Sequence, residues 1–86
     1  MDKVAEVERI NRERKEVRLS HKKLCERASI DVVTWWRARK APGSAFVETI
    51  EALDAAVKAK RAELVEEARA AKRLKRAEMA AAETVL

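Results

Sequence analysis

Eighty-six residues with a net charge of +5 leave room for one small domain and an extension. Apolar residues make up 48% of the chain, but seventeen of them are alanine. The twenty-three larger apolar side chains suffice for one core of three or four helices and exclude two.

Abundant Ala, Glu, Lys and Arg with few β-branched runs predict an all-α fold, a compact four-helix domain. The first helix is expected over about 2–17, with Val4, Val7, Ile10 and Val17 as its apolar members. Glu13 and Arg14 interrupt that stripe. A second helix, 21–28, follows Ser20, whose hydroxyl suits an N-cap. Ser29, Ile30 and Asp31 form a tight turn, and Asp31 caps a third helix over 32–40. Ala41-Pro42-Gly43 is a stop, and Ser44 is placed to cap a long C-terminal helix starting at about 45. Phe46, Val47, Ile50, Leu53 and Val57 recur there at three- and four-residue steps, as a core-facing stripe would.

Nothing stops that helix, since neither Gly nor Pro occurs after Gly43. Continued to about Ala82, it would reach roughly 57 Å at about 1.5 Å per residue. A heptad frame can be laid on it, with Ile50, Val57, Leu64, Ala71, Glu78 and Val85 at one position. Leu53, Lys60, Glu67, Leu74 and Ala81 take the other. Lys60, Glu67 and Glu78 spoil the seam for a long coiled coil. The stripe Leu64, Val65, Ala68, Ala71 and Leu74 suits a short Ala-lined helix pair equally well. The chain therefore divides into a domain over 1–58 and a helical extension over 59–86, a possible dimerisation element. Its stretch RAAKRLKR, 69–76, has five positive charges and no acid. It is either a solvated face or a further contact to phosphates or an acidic partner.

The charge is unevenly placed. Residues 1–40 hold twelve Lys and Arg against seven Asp and Glu, whereas 41–86 hold eight of each. The excess lies in the half containing 20–40, as a polyanion-binding surface requires, although a basic surface also serves solubility. In that stretch Leu24, Ala28, Ile30 and Trp35 face inward and basic residues face outward, the helix-turn-helix pattern that places a helix in the DNA major groove. Adjacent helical residues point about 100° apart, so Trp35 and Trp36 cannot both be buried. By its phase with Ile30 and Ala38, Trp35 is the core residue. Trp36 is then exposed beside Val32, Val33 and Arg37, to be covered by a thymine methyl or deoxyribose, or by another helix or protein. Arg37 can bond guanine O6 and N7, or a phosphate. Lys22 and Lys23 lie at a helix N-terminus favourable to phosphate, and Arg39 and Lys40 are expected to meet the DNA backbone. Cys25 sits where the two motif helices cross, as a small buried thiol.

Residues 10–53 resemble the lambda-repressor-like helix-turn-helix family of phage repressors and Cro-type regulators. The resemblance rests on Ile10 and Arg14, the run LSHKKLCERASI from Leu19 to Ile30, Thr34-Trp35, Arg37, and SAFVETIEAL from Ser44 to Leu53. It implies a DNA-binding regulator in which His21 occupies a position that often touches DNA and Ser20 one that often bonds a phosphate. Ser29 stands where the family usually has a glycine at positive φ, at a cost on the order of 1 kcal/mol. The expectation is a sequence-specific double-stranded DNA-binding transcriptional regulator, a repressor from a phage or other mobile element. It would act as a homodimer on an inverted-repeat operator, and the expected contacts are Ser20, His21, Lys22, Lys23, Val32, Val33, Trp36, Arg37, Arg39 and Lys40.

Two other classes stay open, a phage small-terminase-like packaging component and a helical protein-binding adaptor. No catalytic constellation is present: one histidine, no tyrosine and no Gly-rich phosphate loop. One Cys and one His cannot make the usual zinc sets, and no metal or other cofactor is expected. The lone cysteine and the lack of an apolar run long enough for a signal peptide or membrane span predict a cytoplasmic protein, in a bacterium or a phage-infected host.

Overall fold

Three short polar side chains start three helices in the computed structural model, which describes residues 1–84. Asp2 accepts from the amide of Ala5 ahead of α1 (Lys3–Glu16), and Ser20 from that of Lys23 ahead of α2 (His21–Ala28). Asp31 accepts from Val33 ahead of α3 (Val32–Lys40). Each oxygen satisfies a first-turn N–H that helix geometry leaves unpaired. A 3-10 turn over Pro42–Ser44 leads to α4 (Val47–Thr84). Among the described residues there is no strand, so the all-α expectation holds. No helix there is long and apolar enough to cross a membrane.

Both turns that bracket α2 end a helix in the same way. After α1, Leu19 N–H bonds the Arg14 carbonyl and Arg18 N–H bonds that of Lys15, with Arg18 at φ 61°. After α2, Ile30 N–H bonds the Cys25 carbonyl and Ser29 N–H bonds that of Glu26, with Ser29 at φ 55°. These are paired Schellman closures, which need one left-handed residue each. Ser29 takes the positive φ expected of it, and Arg18 is a second non-glycine residue so placed. The chain's one glycine, Gly43, does not have positive φ.

The core joins all four helices. Val7 and Ile10 of α1, Val17 and Leu19 at its exit, Leu24 and Cys25 of α2, and Trp35 and Ala38 of α3 are buried. Ile50, Leu53, Ala56 and Val57 of α4 close it, and Ala28, Ile30, Ala45 and Leu64 pack on its margin. On α1 the inward series is Val7, Ile10, Arg14 and Val17. Arg14 therefore continues the stripe rather than interrupting it, at 8% exposure, while Val4 lies one turn before the series and is exposed.

The start of the long helix differs from expectation. Ser44 belongs to the 3-10 turn, and Ala45 and Phe46 precede the helix, so Ser44 does not cap α4. The Phe46 carbonyl accepts from Ile50 N–H at the first turn. Non-helical backbone at 45–46 takes Phe46 off the core-facing phase, leaving it 74% exposed and Val47 partly so. The α4 stripe thus begins at Ile50.

α4 is 38 residues long and runs unbroken through the 58/59 boundary, in a molecule 65 Å in its longest dimension and 22 × 17 Å across. Ion pairs hold its first half to the domain. Arg9 of α1 meets Glu6, Glu13 and Asp54, and Lys58 also meets Asp54. Burial pushes the Asp54 carboxyl up, but hydrogen bonds from Lys58 and Arg9 outweigh it and hold the group below its ordinary value. Arg61 reaches Glu16 of α1, and Arg27 of α2 forms a two-pronged pair with Glu63 at 2.9 and 2.7 Å. Contact with the core ends at Leu64. Of the heptad positions read from the sequence, Val85 lies outside the described residues.

Candidate nucleic-acid interface

α3 has one face in the core and one in solvent. Trp35 and Ala38 fill the inner face; Val33, Trp36, Arg37 and Lys40, at three- and four-residue steps, share the outer one, with Val32 at its margin. Trp36 is 50% exposed and Trp35 fully buried, the division that helical phase predicts. The Lys40 ammonium lies over the Trp36 ring, 5.1 Å from its centroid, within cation–π range. A cleft of about 390 Å³ adjoins this face, lined by Thr34, Arg37, Ala41 and Phe46 among others.

The charge of this face follows from where the acids go. Glu13, Glu16, Asp54 and Glu63 are engaged at the joints of α4 with α1 and α2, and Glu6 pairs with Arg9 within α1. α3 carries Arg37, Arg39 and Lys40 and no acid, and Asp31 is occupied as its N-cap. Lys22 and Lys23 are exposed on the first turn of α2, with Lys23 loosely paired to Glu26 at 3.6 Å. The Ser20 hydroxyl oxygen accepts from Lys23 N–H, which leaves the hydroxyl proton free to donate outward.

His21 points the other way. Trp35 Nε1–H donates to its Nδ1 at 2.8 Å, and Arg14 Nη2 lies 3.0 Å from its Nε2. An indole nitrogen can only donate, so the neutral ring carries its proton on Nε2, facing a guanidinium that also only donates. Burial, then the charges of Arg14, Arg39 and Lys15, push the His21 pKa down. Arg14 in turn donates to Asn11 Oδ1 and to the Leu19 carbonyl, fastening the α1–α2 turn. Burial and the neighbouring Arg39 push its pKa down as well. Arg39 is half-buried, its guanidinium 5.4 Å over the Trp35 ring. Its Nε is buried, with no hydrogen-bond partner among the described residues.

Of the ten expected contact residues, Val32, Val33, Trp36, Arg37 and Lys40 thus gather on one outward face of α3. Ser20, Lys22 and Lys23 gather at the start of α2. His21 and Arg39 turn toward Trp35 and link these two groups from beneath. Arg14 is the member that sequence reasoning missed; its step of four from Ile10 and three to Val17 is the signal that places it inward. Cys25 is buried, and burial pushes its thiol pKa up, away from reactivity.

No protein-family model matches the chain, and neither a curated protein nor a solved structure is significantly similar to it.

Proposed function

We propose that the chain is a sequence-specific double-stranded DNA-binding transcriptional regulator that lays α3 in the major groove. The observation that carries this reading is the outward series Val33, Trp36, Arg37 and Lys40. It is a helical face with a half-exposed indole, two bases and no acid, held by a core that uses the opposite face of the same helix. A major groove admits one helix, offers thymine methyls to Val33 and Trp36, and offers guanine O6 and N7 to Arg37. Ser20, Lys22 and Lys23 suit phosphates that set the register, since they surround the first-turn amides of α2. Lys40 suits the backbone at the far end of α3, whereas Arg39, with its guanidinium over the Trp35 ring, supports the helix from beneath. His21 serves by orienting Trp35 rather than by reading a base.

One nine-residue helix covers too little DNA for tight specific binding, so the working form is a homodimer on an inverted repeat. Repression, by occlusion of polymerase, is the mode implied by the resemblance to phage repressors.

Substitution separates readout from anchoring. Arg37→Ala should cost about 1–3 kcal/mol on the preferred duplex and relax its sequence preference, whereas Lys22→Ala should weaken all duplexes alike. Equal binding of the preferred duplex by Arg37→Ala and the unaltered protein would remove Arg37 from base readout. Assemblies of eight or more subunits would favour a DNA-packaging component instead.

A further inference from the structure

α3 ends at Lys40 and α4 begins only at Val47, so the 3-10 turn and two non-helical residues separate the two helix ends. Between them lies the cleft of about 390 Å³, within the roughly 300–1,000 Å³ typical of small-molecule sites. Small apolar residues line it: Ala38, which is buried, Ala45, which is partly so, and Ala41. Phe46, the chain's one phenylalanine, stands exposed at its rim. Arg37 and Lys40 also line the cleft from exposed positions, and no Asp or Glu does.

We propose that this cleft binds a small aromatic carboxylic acid. An apolar lining under two cations takes a ligand with an apolar body and one negative end. A guanidinium such as that of Arg37 holds a carboxylate through two parallel N–H bonds, and the Lys40 ammonium adds a second positive charge. A ring can lie against the alanines and meet Phe46 edge to face, which removes an exposed aromatic surface from water. A wholly polar anion would leave the alanines and Phe46 uncovered, and a neutral ring would leave the two cations unanswered. A second copy of the chain, joined through this cleft about a two-fold axis, would set Arg37 and Lys40 against their own duplicates.

The proposal rests on the DNA reading in one respect, because Arg37 is the residue assigned there to base readout. Acid and duplex then compete for one guanidinium. By linkage, each lowers the affinity of the other by the same factor, so the acid acts as an effector that releases DNA.

The first test uses full-length protein without DNA at constant ionic strength, with cinnamate as probe and cinnamamide as its neutral counterpart. In an amide-resolved NMR titration, cinnamate should shift Thr34, Ala41, Ser44 and Thr49, and cinnamamide should bind several-fold more weakly. Ala41→Leu, at an exposed position outside the core, fills the cleft while keeping both cations, and should abolish binding. Lys40→Ala should weaken cinnamate several-fold and leave cinnamamide unaffected. Absence of shifts, shifts confined to another region, equal binding of acid and amide, or full binding by Ala41→Leu would each overturn the site. The second test adds the preferred duplex. Cinnamate should lower its affinity for the unaltered protein and not for Ala41→Leu; an unchanged affinity at saturating cinnamate would overturn the competition. Cinnamate binding by a protein that retains no duplex would sustain the site and remove the regulator reading instead.

Discussion

The ring of His21 connects the two surfaces assigned to DNA, and it does so from inside the domain. Trp35 is fully buried, so its N–H has His21 Nδ1 as its partner and no water to fall back on. His21→Ala should cost about 1–3 kcal/mol of stability, the penalty for a buried donor left unmade; chemical denaturation measures it. The same ring gives stability a pH dependence. Its native pKa lies below the ordinary 6.5, so the unfolded chain takes up a proton first as pH falls. Stability is full above about 6.5 and declines as pH drops through the lower native value. His21→Gln should flatten that part of the profile, and an unchanged slope would assign it elsewhere. Asp54, also held low, acts in a separate, more acidic window: its contribution is present above its ordinary value of 3.8 and is lost as pH falls through the native one.

At this scale the sequence was partly legible. Phase alone separates buried Trp35 from exposed Trp36, because a helix turns adjacent residues by a fixed angle. Composition hides Arg14 and His21, since a charged or polar residue reads as surface until a specific partner is known. Arg14 has a carbonyl acceptor, that of Leu19, on the following turn, and no periodicity reveals it.

Among the elements, the turns carry the testable strain. Arg18 and Ser29 are exposed residues in the left-handed region, where a Cβ is disfavoured by roughly 1–2 kcal/mol. Ser29→Gly should therefore raise stability by about 0.5–1 kcal/mol after the added freedom of the unfolded glycine is subtracted. A shift of the denaturation midpoint reports it, and a loss of stability would mean that the serine hydroxyl contributes more than the backbone strain costs. The turn at Ser29 was readable because flanking helices fix where it must close. The entry to α4 was not: Pro42 and Gly43 announce a stop, but how many residues the stop consumes depends on the 3-10 turn they form. Two residues of delay moved Phe46 from the core to the surface.

Over the whole molecule, charge does more than solubilise. Acids gather where α4 meets α1 and α2, and the excess of bases falls on α3 and on the start of α2. Trp36→Ala should leave the denaturation midpoint within about 0.5 kcal/mol of the unaltered protein, as an exposed side chain away from the core does. Its affinity for the preferred duplex should nevertheless fall, and an equal affinity would move the apolar contact elsewhere on α3. The long helix was legible as a helix, because nothing in it interrupts one. Where it undocks was not, since Arg27–Glu63 and Arg61–Glu16 join residues 36 and 45 positions apart.

The most direct measurement is selection of bound sequences from a pool of random duplex DNA at moderate salt. Enrichment of one inverted repeat is expected, and Arg37→Ala should abolish that enrichment. Recovery of no common sequence, or no retention of duplex even at low salt, would contradict it.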